Sequence, residues 1–139
     1  MLPADQLKEI LMQSRTIAVY GMSRNPAKAA YQVPAVLKRY AFRVIPVNPF
    51  ADEIMGERSY DSLAAIPDEI DIVDVFRPSA EALGVVKEAL ARHKERGDVR
   101  LIWLQLGIRN TEAERLAAAA GVPFVQNLCM AVEVPRLLG

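Results

Sequence analysis

The sequence predicts an α/β fold, a parallel sheet with helices on both faces in a single domain, and three observations carry that expectation. Short apolar runs recur along the chain, at residues 16–20, 42–47, 70–76 and 101–106. They hardly alternate with polar residues, the pattern of strands buried on both faces. Segments with helical spacing separate them, and strands that alternate with helices form parallel sheets through right-handed crossovers.

Each element follows from local signals. Residues 5–13 place Leu7, Ile10 and Leu11 at helical spacing, so a short amphipathic helix packs on the domain. The first strand, residues 16–20, stops at Gly21, and a loop to Ala29 leads into a helix through Val33, Val36, Leu37 and Tyr40. Pro34 is expected in the first turn of that helix, where a missing N–H costs nothing. After the second strand, residues 50–69 are rich in turn residues; Gly56 and Tyr60 are expected to flank a short segment, and residues 62–66 to make a helical turn. Arg77, Pro78 and Ser79 end the third strand, with Ser79 as N-cap of a helix that runs to about Arg96 and stops at Gly97. The fourth strand ends at Gly107. Thr111 and Glu114 have the spacing of a capping box, ahead of an alanine-rich helix ending at Gly121. Residues 123–126 supply a last short strand, and residues 130–138 a final turn or helix.

Composition narrows the function classes. The chain has 139 residues, and 17 Lys+Arg balance 17 Asp+Glu, so no global field draws it to nucleic acid or an anionic membrane. Any anion site must be local. Cys129 is the only cysteine, which excludes an internal disulfide and fits a reducing compartment. The opening MLPADQLKEILMQSR has neither the cationic start nor the apolar core of a signal peptide, and no apolar run reaches the roughly 20 residues of a membrane span. The expectation is a soluble cytoplasmic protein.

In open parallel sheets, ligands bind beyond the C-terminal ends of the strands. The candidate segments are therefore Gly21, Met22, Ser23, Arg24 and Asn25; Val47, Asn48 and Pro49; Phe76, Arg77 and Pro78; Gln105, Leu106 and Gly107; and Gln126 with Asn127. Gly21 would let the backbone approach a phosphate, the next helix would present free N–H groups, and Arg24 and Lys28 would add positive charge. On this reading Gly21→Val should abolish binding and leave the fold intact. The plainer alternative is a tight turn. The sequence G-M-S-R-N-P holds one glycine where the dinucleotide fingerprint needs three. At the end of the second strand, Asn48 and Pro49 stand where a carboxylate would grip a free ribose; a neutral residue there suits the phosphorylated ribose of NADP or coenzyme A, or simply makes a turn. Arg77 suits a phosphate, a carbonyl or a pair with Asp74. Tyr31 and Phe76 offer apolar contact to a ligand, or are core and rim aromatics. His93 reads as a solvated surface residue. Cys129 reads as a small buried hydrophobe rather than a reactive thiol. Neither a metal-ligand cluster, a Ser/His/Asp order nor a Walker loop is present, so the expected role is non-catalytic.

Four segments together, IAVYGMSRNPAKAAYQV, FRVIPVNPFADEIMGERSYDSLAAIP, DIVDVFRPS and IWLQLGI, resemble the stand-alone CoA-binding proteins. Their Rossmann-like fold is similar to the CoA-binding domain of the succinyl-CoA synthetase alpha subunit. The resemblance runs from about Thr16 to the C-terminus. It implies that Gly21, Ser23 and Arg24 line the phosphate loop with Tyr31 beside it. Val47, Asn48 and Pro49 would lie along the nucleotide, and Phe76, Arg77, Gln105 and Gly107 would complete the cleft. The chain departs from the family after the last strand, where D-R-C-P or similar is common and Gln126-Asn127-Leu128-Cys129-Met130 stands here. The synthetase's phosphohistidine domain has no counterpart in this sequence, so the implied function is binding of coenzyme A or an acyl-CoA, as sensor, carrier or partner-dependent module. A protein partner or a homo-oligomer is compatible with it. An NADP-binding oxidoreductase module and a ligand-free protein interaction module are the alternatives.

Overall fold

The computed structural model describes residues 2–139. The main strands are β1 (Thr16–Tyr20), β2 (Arg43–Val47), β5 (Ile72–Val75), β6 (Leu101–Leu104) and β7 (Phe124–Val125); β3 (Glu53–Ile54) and β4 (Glu57–Arg58) form a separate antiparallel hairpin. The five main strands are all parallel, in the order β2-β1-β5-β6-β7. The helices are α1 (Ala4–Gln13), α2 (Ala29–Arg39), α3 (Ser79–Arg96), α4 (Thr111–Ala119) and α5 (Met130–Leu138). Among the described residues no helix is long and apolar enough to cross a membrane.

Alternation of side chains along each strand divides the core into two layers. Ile17, Val19, Ile72, Leu101 and Trp103 pack with residues of α1, α2 and α5, such as Leu11, Leu37 and Val134. Ala18, Ile45, Val73, Val75, Ile102 and Leu104 pack with α3 and α4 through Ala82, Val86, Ala89 and Ala113. The predicted class, a parallel sheet covered by helices on both faces, is what the chain adopts.

Several local expectations are corrected. Pro34 is the sixth residue of α2, not part of its first turn. An N–H at position 34 would have bonded Ala30 O; with that donor missing, the carbonyl accepts Ser23 N–H at 3.2 Å. Residues 62–66 form no helix: bends at 62 and 63 lead into a single hydrogen-bonded turn, Ile66 N–H to Leu63 O at 3.2 Å, shorter than the turn expected over 62–66. Leu63 and Ile66 are nevertheless fully buried and cover the sheet where a crossover helix would lie. Backbone without a ladder needs other donors for its carbonyls, and α3 supplies them. Arg92, itself buried against Asp98 at 2.9 Å, donates to Leu63 O, Ile66 O and Asp68 O, and Arg96 donates to Ala64 O and Ile66 O.

Ser79 is the first residue of α3 rather than its N-cap, and its Oγ accepts Arg109 N–H at 3.0 Å. The capping box expected at Thr111 is absent, because Asn110 is the extended residue before α4 and its Oδ1 accepts Ala113 N–H at 2.9 Å. His93 is half-buried rather than solvated: its Nδ1 lies 2.7 Å from Asp98 O and 3.1 Å from Val99 O, which makes Nδ1 the donor. Cys129 is half-buried at the head of α5 and packs against the α1/α2/α5 layer.

Candidate functional site

The strand order reverses between β1 and β5, since the chain leaves β1 for β2 on one side and returns to β5 on the other. Loops diverge at such a switch point and leave a crevice at the C-terminal ends of the strands. A cavity of about 440 Å³ opens there. Of the residues expected at a site, it brings together Gly21, Val47, Asn48, Pro49 and Arg77.

Gly21 has φ +87°, and its N–H donates to Val47 O at 2.9 Å. A Cβ on it would lie 2.7 Å from Phe76 O and 2.9 Å from Arg77 Cδ. The glycine therefore allows the loops after β1 and β5 to touch, and any side chain there would strain the fold. Gly21→Val is accordingly not a fold-neutral change, against the sequence-based expectation. Asn48 is committed to the same junction: its Nδ2 donates to Met22 O at 2.9 Å and its Oδ1 accepts Phe50 N–H at 2.8 Å. Arg77 forms neither of the protein contacts expected of it. It pairs with Glu81 at 2.8 Å, one turn into α3, with both side chains about half exposed.

The remaining expected residues lie outside the cavity. Met22 has a core side chain, 0% exposed, as does Val47 of the cavity at 1%, so only their backbones face the junction. Ser23 Oγ accepts Asn25 N–H at 3.0 Å, and Asn25 Oδ1 accepts Ala27 N–H at 3.0 Å, which shapes the loop. Arg24 and Lys28 are exposed beside the N-terminus of α2 and form no ion pair among the described residues. Tyr31 and Phe76 are half-buried against the α1/α2/α5 layer. Gly107 is exposed, and its N–H donates to Asn127 Oδ1 at 2.8 Å. Gln105 is buried, not a cleft residue: its Nε2 donates to Asp74 Oδ1 at 2.6 Å and its Oε1 accepts Met130 N–H at 3.4 Å. Burial pushes the Asp74 carboxyl up to about 7, against the lowering effect of the Gln105 hydrogen bond.

Sequence reasoning missed most of the cavity's other wall. Glu81, Gly84, Val85 and Glu88 line it from α3, and Tyr20, Phe50 and Asp61 complete it. The spacing of three, four and seven along α3 is that of one helical face, so the signal was present. Gly84 gives that face open space, with nothing within 4 Å of where a Cβ would sit. Phe50 is 86% exposed at the mouth. Burial and the Glu88 carboxylate together raise the pKa of the Tyr20 hydroxyl.

An open parallel sheet, a glycine junction after β1 and a cleft at the switch point define the Rossmann-like α/β class. Within it, the chain belongs to the CoA-binding domain family, whose profile matches residues 15–135. A Bacillus subtilis protein named YneT is 36% identical over 127 residues, 91% of this chain and 90% of that protein. The solved structure of a Thermus thermophilus protein superimposes with a TM-score of 0.90 at 38% identity, over 98% of this chain and 99% of the other. The alpha subunit of the ADP-forming acetate–CoA ligase II of Pyrococcus furiosus is 34% identical over 101 residues, 72% of this chain. The match covers 21% of that ligase subunit, so this chain corresponds to about a fifth of it.

Proposed function

We propose that the chain binds coenzyme A or an acyl-CoA along the C-terminal edge of its sheet, as a non-catalytic module that senses the ligand or presents it to a protein partner. The observation that supports this most is the division of charge along that edge. Asp61, Glu81 and Glu88 line the cavity, opposed by Arg77, whereas Arg24 and Lys28 are exposed beside the N-terminus of α2. A helix start holds N–H groups with no partner inside the helix, and with two cations nearby it suits the phosphates of the nucleotide end. The uncharged adenine and pantetheine groups can occupy the cavity and the rest of the edge. In this reading Asn48 and Pro49 lie beside the adenosine, and the pantetheine arm runs past Phe76 toward Leu106 and Gly107. Membership of a CoA-binding family supports the ligand class, and the ligase relative supports a role beside a catalytic partner.

Calorimetric titration with CoA, dephospho-CoA, NADP and NAD tests the reading. Binding of CoA that weakens on loss of the 3′-phosphate is the expected result. Preference for NADP would replace it with an oxidoreductase module, and absence of binding to all four would leave a protein interaction module.

A further inference from the structure

A second cavity, of about 480 Å³, opens at the opposite end of the same sheet edge, beyond β7. Leu2, Leu7, Phe124, Val125 and Leu128 give it an apolar wall, and Arg109, Glu114, Glu133 and Arg136 stand around it. Arg136 pairs with Glu133 at 2.6 Å, and the two cations and two carboxylates cancel. A rim of zero net charge gives a charged ligand group no net pull toward the cavity, while an apolar one gains from the wall.

The cavity's place on the edge identifies its occupant. β1 and β7 are three neighbour spacings apart in the sheet, about 14 Å at 4.7–4.9 Å per spacing. The pantetheine arm of CoA, from its phosphate oxygen to its sulfur, contains about twelve bonds, equivalent to four peptide residues and so about 14 Å when extended. An arm leaving phosphates at the loop after β1 therefore ends beside β7. Along that path Leu106, two residues past β6, is 69% exposed and offers an apolar contact. We infer that the cavity beyond β7 holds the acyl group of an acyl-CoA, and that the preferred acyl group is an uncharged alkyl chain of medium length. This inference rests on the proposed CoA reading and adds to it the class of thioester carried.

The test is a titration series with CoA, butyryl-CoA, hexanoyl-CoA, octanoyl-CoA and succinyl-CoA. Each added methylene should tighten binding by up to about fourfold until the cavity is filled, at about 0.8 kcal/mol per buried methylene. Succinyl-CoA should gain nothing over CoA. Trp103, the only tryptophan, donates from Nε1 to Leu128 O at 2.8 Å, so its emission should shift with octanoyl-CoA and not with CoA. In Leu128→Ser the ratio of CoA to octanoyl-CoA dissociation constants should collapse toward one. Equal affinity for CoA and its acyl esters, with no shift in Trp103 emission, would overturn the acyl site while leaving the CoA reading intact. Failure of wild-type protein to bind CoA or any ester would overturn both.

Discussion

Asp74→Asn is the substitution for which the structure gives the sharpest energetic expectation. Asp74 lies fully buried in β5, paired in register with Val19 and Trp103; Oδ1 accepts from Gln105 and Oδ2 has no partner among the described residues. Burial raises its pKa from 3.8 to about 7. The folded state therefore holds a proton that the unfolded chain releases, so this group's contribution to stability falls as pH rises from about 4 to about 7 and stays low above that. A shift of this size corresponds to about 4 kcal/mol in full, of which about 2–3 kcal/mol develops between pH 5 and pH 8. The asparagine cannot titrate. Its carboxamide keeps an acceptor for Gln105 but places two N–H donors where the neutral acid places one O–H, and an additional unpaired buried donor costs about 1–3 kcal/mol at every pH. The variant should be less stable than the parent at pH 5, and should draw level or overtake it at pH 8. Urea unfolding of both proteins at both pH values measures this, and subtraction of the variant removes every other titrating group. A difference between parent and variant that does not change with pH would refute the assignment of a neutral buried Asp74.

Four further substitutions probe the cleft and its support. Gly21→Ala should lower stability by about 1–3 kcal/mol in thermal or urea unfolding, because φ is +87° and the new Cβ meets Phe76 O at 2.7 Å. Gly84→Ala should raise stability by up to about 1 kcal/mol, since the helix gains an alanine in open space, and should weaken CoA binding by calorimetry if the ligand lies against α3. Arg77→Ala should change stability by no more than about 0.5 kcal/mol, since its pair with Glu81 is half exposed, and should leave the salt dependence of CoA binding unchanged if the phosphates lie at Arg24 and Lys28; a flattened dependence would place a phosphate at Arg77 instead. Arg92→Ala should cost about 3–5 kcal/mol in urea unfolding, because it leaves Asp98 buried without its cation and strips donors from the carbonyls of residues 63, 66 and 68.

The sheet was legible because its signal is local: a run such as Ile72–Val75 must be buried on both faces wherever it lies. Positions decided by a long-range partner were not legible. Nothing near Pro34 announces that Ser23 will use the carbonyl it frees, and nothing near Leu63 announces that Arg92, 29 residues away, will hold the crossover. The cap at Asn110 was hidden by the stronger-looking spacing of Thr111 and Glu114 one residue later. At the cleft, strand ends pointed to Gly21, Asn48 and Arg77, while the α3 wall was missed because Glu81, Gly84, Val85 and Glu88 lie within a helix and not at a strand end.

Asn48 shows why residue identity at a site has to be read through its partners. By position it stands where other dinucleotide folds grip the ribose, but both polar atoms of its carboxamide are occupied, by Met22 O and Phe50 N–H. An aspartate there would lose the donor to Met22 O and set two acceptors against each other. The amide is therefore required by the loop, and any preference for a phosphorylated ribose must come from elsewhere on the edge. Three hydrogen bonds hold the loop in advance: Gly21 N–H to Val47 O, Asn48 Nδ2 to Met22 O, and Ser23 N–H to Ala30 O. A loop held from β2 on one side and α2 on the other loses little entropy when a ligand arrives. On the proposed reading, affinity follows from that rigidity and selectivity from Arg24 and Lys28, which stand on it without an ion pair among the described residues. Asn48→Ala should thus weaken CoA and dephospho-CoA by the same factor, whereas Lys28→Ala should erase part of the difference between them; the reverse pattern in paired titrations would return ribose recognition to Asn48.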